Sequence, residues 1–187
     1  VNVAPMGPWV PDTAMTDWQA FVLRPYKTSQ TYRNLREHPE GVFHITDDVL
    51  LLAQAAIGPV TAQTAPALAV VGRRLADCCR FYEFRIDCFD DAEERTKLMA
   101  RVVRQERIRD FVGFHRARHA VVEAAIAASR VGIIPTSQIL ADLQRLRPLV
   151  DKTAGPNERQ AFELLVQFVQ SRQAHGICEP AGRNTNS

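Results

Sequence analysis

The residues best suited to chemistry are bunched between positions 24 and 34, in the order Arg-Pro-Tyr-Lys-Thr-Ser-Gln-Thr-Tyr-Arg-Asn. Thr28 or Ser29 can cap a short helix that Pro39 terminates, so first-turn amides, the hydroxyls of Thr28, Ser29 and Thr31, and the Lys27 ammonium gather at one end. A phosphate fits that donor set. A helix dipole or a surface charge contributes only about 0.3 to 1 kcal/mol, whereas a hydrogen bond to a charged group contributes about 1.5 to 3, so direct donors would decide affinity. The same spacing also describes an ordinary capped helix with a solvated lysine, the reading that spacing alone favours.

Other chemically capable groups are scattered. His115, His119 and Glu123 follow one another at four-residue steps on one helix face, a pattern that could ligate a metal. With no second ligand cluster, a polar stripe with a His119–Glu123 pair is the better reading, and no metal is expected. Arg116 can face an anion or a partner subunit. The pairs Asp47-Asp48 and Asp90-Asp91 sit where caps and turns favour aspartate, and His44 alternates away from Phe43 and Ile45 as a surface or hydrogen-bonded histidine. Cys78, Cys79, Cys88 and Cys178 show no CxxC spacing and read as reduced cytosolic thiols. Neither GxGxxG nor a Walker loop occurs, so a nicotinamide donor would have to dock without a Rossmann domain.

Elements that would position these groups change character near the middle of the chain. Residues 1–6, 18–24 and 41–46 read as strands, residues 78–89 alternate in strand fashion, and residues 98–111 are assigned a further strand against a competing helical tendency over 92–99. Thr46 or Asp47 can cap a helix over 49–56 that Gly58-Pro59 stops. From residue 114 amphipathic patterns dominate. Ala117, Ala120, Val121, Ala124, Ala125 and Ala128 form a small-residue stripe, flanked by Val122 and Ile126 as a second apolar side. Thr136 caps a helix that Pro148 ends, Gly155-Pro156-Asn157 starts another, and residues 182–187 form a loose tail.

Length and composition agree with such a two-part chain. At 187 residues with 46% hydrophobic and 24% charged side chains, one domain with a helical appendix can bury a core without disulfides or a structural metal. A formal charge of +2 is too small for a dedicated nucleic-acid domain. Apolar tracts at 65–72 and 120–134 are too short or carry charges, so no membrane span and no secretory address are expected. Because the first residue is Val1, the numbering is expected to begin inside the protein, with an N-terminal strand upstream.

Four blocks, in order, carry a resemblance. NVAPMG at 2–7 and RPYKTSQTYRNL at 24–35 look like the split-barrel, flavin reductase-like FMN-binding superfamily; GFHRARHAVVEAAI at 113–126 and VDKTAGPNE at 150–158 resemble the DUF447 family, which pairs such a barrel with helices. The resemblance implies an α+β fold, with a split β-barrel over residues 1–112, a C-terminal helical subdomain over 113–175 and a tail over 176–187. It implies a homodimer that binds FMN, and the cysteine pattern places it in the cytoplasm. Arg24 and Lys27 would supply charge, Thr28, Ser29 and Thr31 phosphate donors, and Asn34 a polar contact to phosphate or ribityl, with Tyr26 packed along the flavin. Ala4, Pro5, Met6 and Gly7 would lie along the isoalloxazine edge, and His115 and Arg116 would also face the cofactor, although the family pattern has asparagine where His115 stands. Two functions compete. One is an oxidoreductase in which FMN moves hydride or electrons from a donor such as NADH or NADPH, with no catalytic side chain assigned. The other is a non-catalytic protein binding FMN or another phosphorylated ligand, using its Ala-rich helices for assembly.

Overall fold

Alternating aromatic, β-branched and polar residues generate six strands: β1 (Ala20–Leu23), β2 (Glu40–Ile45), β3 (Thr64–Pro66), β4 (Arg73–Leu75), β5 (Arg80–Asp90) and β6 (Lys97–Arg107). In the computed structural model, which describes residues 3–7 and 18–176, four strands form one antiparallel sheet ordered β1-β6-β5-β2, and β3 and β4 form a two-stranded ribbon. Two compact units emerge, one made of Val1–Asp48 with Pro59–Gly113 and the other of Val49–Gly58 with Phe114–Ser187.

In the sheet unit, cross-strand pairs define the two faces. Phe43 lies opposite Tyr82 and Gly41 opposite Phe84, which puts the aromatic core on one side. Phe21, Leu23, Leu35, Tyr82, Phe84, Leu98 and Ala100 form that core, and Trp18 stacks on Tyr82 with ring centroids 4.9 Å apart. Burying each large side chain contributes about 1.5 to 3 kcal/mol. Gly41 lets the Phe84 ring lie close, since a Cβ there would stand 3.0 Å from it and the ring would have to give way by a few tenths of an ångström. His44 lies opposite Phe81, and Val42 opposite Glu83, on the other face. The irregular alternation of β5 has a structural cause: register shifts at Glu83/Phe84 and Ile86/Cys88 interrupt the period of two.

Helix α1 (Gln30–Glu37) follows β1, with Ser29 as the cap that the sequence proposes. Helix α2 (Val49–Ile57) is apolar almost all round, and it packs with α3 (Arg116–Ala128) and α5 (Pro156–Gly176) although it falls within residues 1–112. Together with α4 (Thr136–Thr153), these helices bury Val49, Ala53, Ala120, Val121, Ala124, Phe162 and Leu165 in one core.

Several expectations need correction. Residues 3–7 form no strand; Pro5 brings no amide hydrogen to a ladder. Val1, Asn2, Cys178 and the expected tail at 182–187 lie outside the described residues. The strand assigned over 98–111 against a helical tendency is present as β6, and residues 92–96 form the bend that leads into it. The α3 stripe is buried on one side only, since Ile126 is exposed and Val122 half-buried. Helix α4 begins without a side-chain cap and runs through Pro148 to Thr153. Pro148 and Gln144 both lie on its exposed side, so water can replace the backbone bond that the proline removes. Among the described residues, no helix is long and apolar enough to cross a membrane.

Candidate anion-binding site at the start of the first helix

Pro25, buried just beyond β1, turns the chain off the sheet, and the Ser29 amide closes the turn by donating to the Tyr26 carbonyl at 2.9 Å. Ser29 stays extended, with φ −75° and ψ 149°, and its Oγ accepts from the Tyr32 amide at 3.2 Å. An accepting hydroxyl still has its own hydrogen to donate. Among the described residues, the amides of Thr28 and Gln30 have no hydrogen-bond partner, and the half-buried Lys27 makes no ion pair. Arg24 adds a buried Nε with no partner among these residues, while its outer nitrogen lies 3.7 Å from Glu93.

Arg33 reaches back from α1 to hold the loop, donating to the Thr28 carbonyl at 2.8 Å and to Gln30 Oε1 at 3.0 Å. Gln30 donates in turn to Asn34 Oδ1 at 2.6 Å. From the other side comes the β5–β6 turn. The Lys27 amide donates to the Glu94 carbonyl at 3.1 Å, and the Thr96 amide and hydroxyl both donate to the Pro25 carbonyl, at 3.0 and 2.9 Å. Arg95 Nε donates to the Arg24 carbonyl at 3.1 Å, and its guanidinium lies 5.7 Å from the Tyr26 ring centre. The Tyr32 hydroxyl donates to Asp91 at 2.9 Å; desolvation first and then that carboxylate push the phenol pKa up.

Arg24, Tyr26, Lys27, Thr28, Ser29, Thr31 and Asn34 therefore share one loop and helix start, as their sequence spacing proposes. Of the segment at 3–7, Met6 packs against the core that holds Tyr32 and Leu35, while Ala4, Pro5 and Gly7 are exposed. His115 and Arg116 belong to the helical unit. There His115 is the N-cap of α3, its Nδ1 accepting from the Arg118 amide at 3.3 Å. Asparagine is a common residue at such a position, so histidine here does the capping work expected of the family's usual residue. His119 meets Phe114 edge-on at 5.8 Å rather than pairing with Glu123.

Thr96, Arg95 and the backbone of Glu94 went unrecognised in the sequence. No local pattern announces them, because their contacts reach 71 residues back along the chain. Glu83 was also missed as a special position. It is fully buried in a strand otherwise read by simple alternation, and its carboxylate accepts from the amides of Leu68, at 2.9 Å, and Ala69.

Comparison with known sequences places this loop in a family. Residues 1–109 match the N-terminal domain, and residues 115–167 the remaining domain, of the protein of unknown function DUF447. The chain belongs to the DUF447 family. No curated protein sequence matches it. The crystal structure of an FMN-bound DUF447 protein from Methanosarcina mazei is similar with a TM-score of 0.71 at 18% identity, over 89% of this chain and 87% of that one, and so shares its fold. A flavin reductase solved with NADP+ matches at TM-score 0.45 and 16% identity, over 49% of this chain and 62% of the other. The flavin reductase of styrene monooxygenase from Pseudomonas putida matches at 0.40 and 10%, over 49% and 61%. In this DUF447 chain the block at 24–35 lies within the part that matches the family's N-terminal domain and carries the donor set at the start of α1.

Proposed function

We propose that this DUF447 chain is an FMN-binding flavoprotein with a split β-barrel in its sheet unit, acting as an oxidoreductase. The observation that carries the reading is the donor set at the start of α1: a lysine and two amides without partners among the described residues, and a hydroxyl hydrogen, all on a loop fixed from both sides. The FMN-bound DUF447 structure from Methanosarcina mazei supports the choice of ligand. Lys27 and Arg24 would neutralise a phosphate, the orphaned Arg24 Nε included, while Thr28 and Ser29 donate to its oxygens and Thr31 and Asn34 flank them. Tyr26 and the segment Ala4, Pro5, Met6 and Gly7 would border the flavin.

FMN, when bound, supplies hydride and electron transfer, so no side chain need act as a nucleophile. The chain's own part is to bind the anionic end, orient the ring and exclude water. The reading extends to a cytoplasmic homodimer that receives electrons from NADH or NADPH. An absorption spectrum of the purified protein with and without added FMN tests binding, and anaerobic addition of each nicotinamide donor tests the chemistry. A protein that neither carries nor takes up FMN sinks the proposal. One whose bound flavin no donor reduces is a binding protein rather than an oxidoreductase.

A further inference from the structure

We infer that the β5–β6 turn, through Thr96 and Arg95, is a brace that holds the 24–29 loop in the shape that binds the ligand's anionic end. The inference rests on the FMN reading. Four contacts converge on three successive peptide units of that loop: the Thr96 amide and hydroxyl on the Pro25 carbonyl, Arg95 Nε on the Arg24 carbonyl, and the Lys27 amide on the Glu94 carbonyl. The strand β1 that feeds the loop pairs with β6 only over Ala20–Leu23, opposite Arg101, Ala100, Met99 and Leu98. Beyond Leu23 the sheet ladder gives out, and the isolated bridge between Tyr26 and Arg95 takes over.

The brace uses up loop carbonyls and one loop amide, and it leaves the outward donors alone. Thr96 is fully buried, and its hydroxyl makes its bond at 2.9 Å inside the protein, so it cannot itself touch an anion on the open side. Arg95 is exposed, and the nitrogen that reaches the loop, Nε, is held by the Arg24 carbonyl, so through that bond it acts on the loop backbone. Both are positioning residues. Their loss would release Pro25 and Arg24, which precede Lys27 and the open amide of Thr28, and ligand affinity would fall through the cost of re-ordering the loop. A contact along the isoalloxazine ring would not feel that change. The brace should therefore affect FMN and spare riboflavin, which lacks the phosphate.

The test is titration of FMN and of riboflavin into wild type, Thr96→Val, Thr96→Ser and Arg95→Met, with a melting curve for each. The expected result is FMN binding weakened about 3- to 10-fold in Thr96→Val and in Arg95→Met, the loss typical of one hydrogen bond. Riboflavin binding should stay within about twofold of wild type, and Thr96→Ser, which keeps the hydroxyl, should restore FMN affinity. Unchanged FMN affinity in both weakened variants overturns the inference. So does equal weakening of FMN and riboflavin, which marks a general structural defect. Should Thr96→Val fail to fold, Arg95→Lys, which keeps the charge but loses the Nε bond to the Arg24 carbonyl, decides: weakened FMN supports the brace and wild-type affinity overturns it. A wild-type protein that binds no FMN removes the flavin reading and the brace with it; wild-type binding with indifferent variants removes the brace alone.

Discussion

In the loop at 67–72 the amides of Leu68 and Ala69 end on the Glu83 carboxylate and that of Val71 on Glu40 at 2.8 Å, whereas in the loop at 24–29 the amide of Thr28 meets no acceptor among the described residues. Both loops belong to the sheet unit, and both offer backbone N–H groups that favour an anion. One receives it from within the chain: Glu83 is fully buried, and Arg85 adds a bond to the Ala69 carbonyl at 3.1 Å. The other is fastened through its carbonyls and the Lys27 amide, and Thr28 and Gln30 beside that lysine are exposed. A loop whose donors are already satisfied from within the chain is scaffold, whereas a braced loop with exposed donors, as proposed for 24–29, leaves them for water or for a ligand.

Breaking the satisfied loop should have the largest effect. Glu83→Ala strips two part-buried amides of their acceptor and leaves a void at a fully buried position, so unfolding free energy should fall by about 2 to 4 kcal/mol. Urea denaturation measures it. A loss below about 1 kcal/mol would mean that water replaces the carboxylate and that the two loops differ less than their hydrogen bonds indicate.

The second anchor on that side titrates. His44 Nε2 accepts from the Leu75 amide at 3.0 Å, and burial first, then the Arg74 charge, lower its pKa to about 4. An unfolded histidine titrates near the ordinary value of about 6.5, so between the two pKa values the unfolded chain binds a proton that the folded chain refuses. Stability from this group is complete above about pH 6.5, declines as the pH falls, and reaches its full loss of about 3 kcal/mol near pH 4. Comparing denaturation of wild type and His44→Gln at pH 7.5 and 4.5 isolates the histidine. Parallel pH dependences would remove it as the cause.

On the open side, Lys27→Ala should leave stability within about 0.5 kcal/mol and weaken FMN by about 1.5 to 3 kcal/mol, roughly ten- to more than a hundredfold. The pattern opposite to that of Glu83→Ala, affinity lost with folding kept, is the sharpest test of the contrast. Equal FMN affinity in wild type and Lys27→Ala would take the lysine out of the site.

How much of this was legible in the sequence follows from contact range. Ser29 as cap, Pro39 beyond the end of α1, the buried Ala stripe of α3 and the order of strands before helices all rest on local spacing, and the structure has them. Thr96 and Glu83 could not be read that way, because an isolated threonine in a polar turn and a glutamate in a mixed strand acquire meaning only when distant backbone arrives. Pro148 misled for a related reason: its cost to a helix depends on whether the carbonyl it orphans meets water, which the sequence does not state. Thr136 misled likewise, as Pro135 takes the cap position ahead of it.

Ser29 gives the smallest and most diagnostic expected effect, because it serves the fold and the proposed ligand together. Its Oγ satisfies the Tyr32 amide at 3.2 Å, and its hydrogen remains for a phosphate. Ser29→Ala should therefore cost about 1 kcal/mol of stability, the usual worth of an N-cap, in addition to weakening FMN. Ser29→Gly separates the two roles, since glycine at the cap costs only a few tenths of a kcal/mol while removing the same hydroxyl. If the glycine variant keeps its melting temperature and loses FMN affinity as the alanine variant does, the hydroxyl acts on the ligand directly. If affinity tracks stability across the two variants, Ser29 serves only to hold α1, and the open donors of Lys27, Thr28 and Gln30 must account for binding without it.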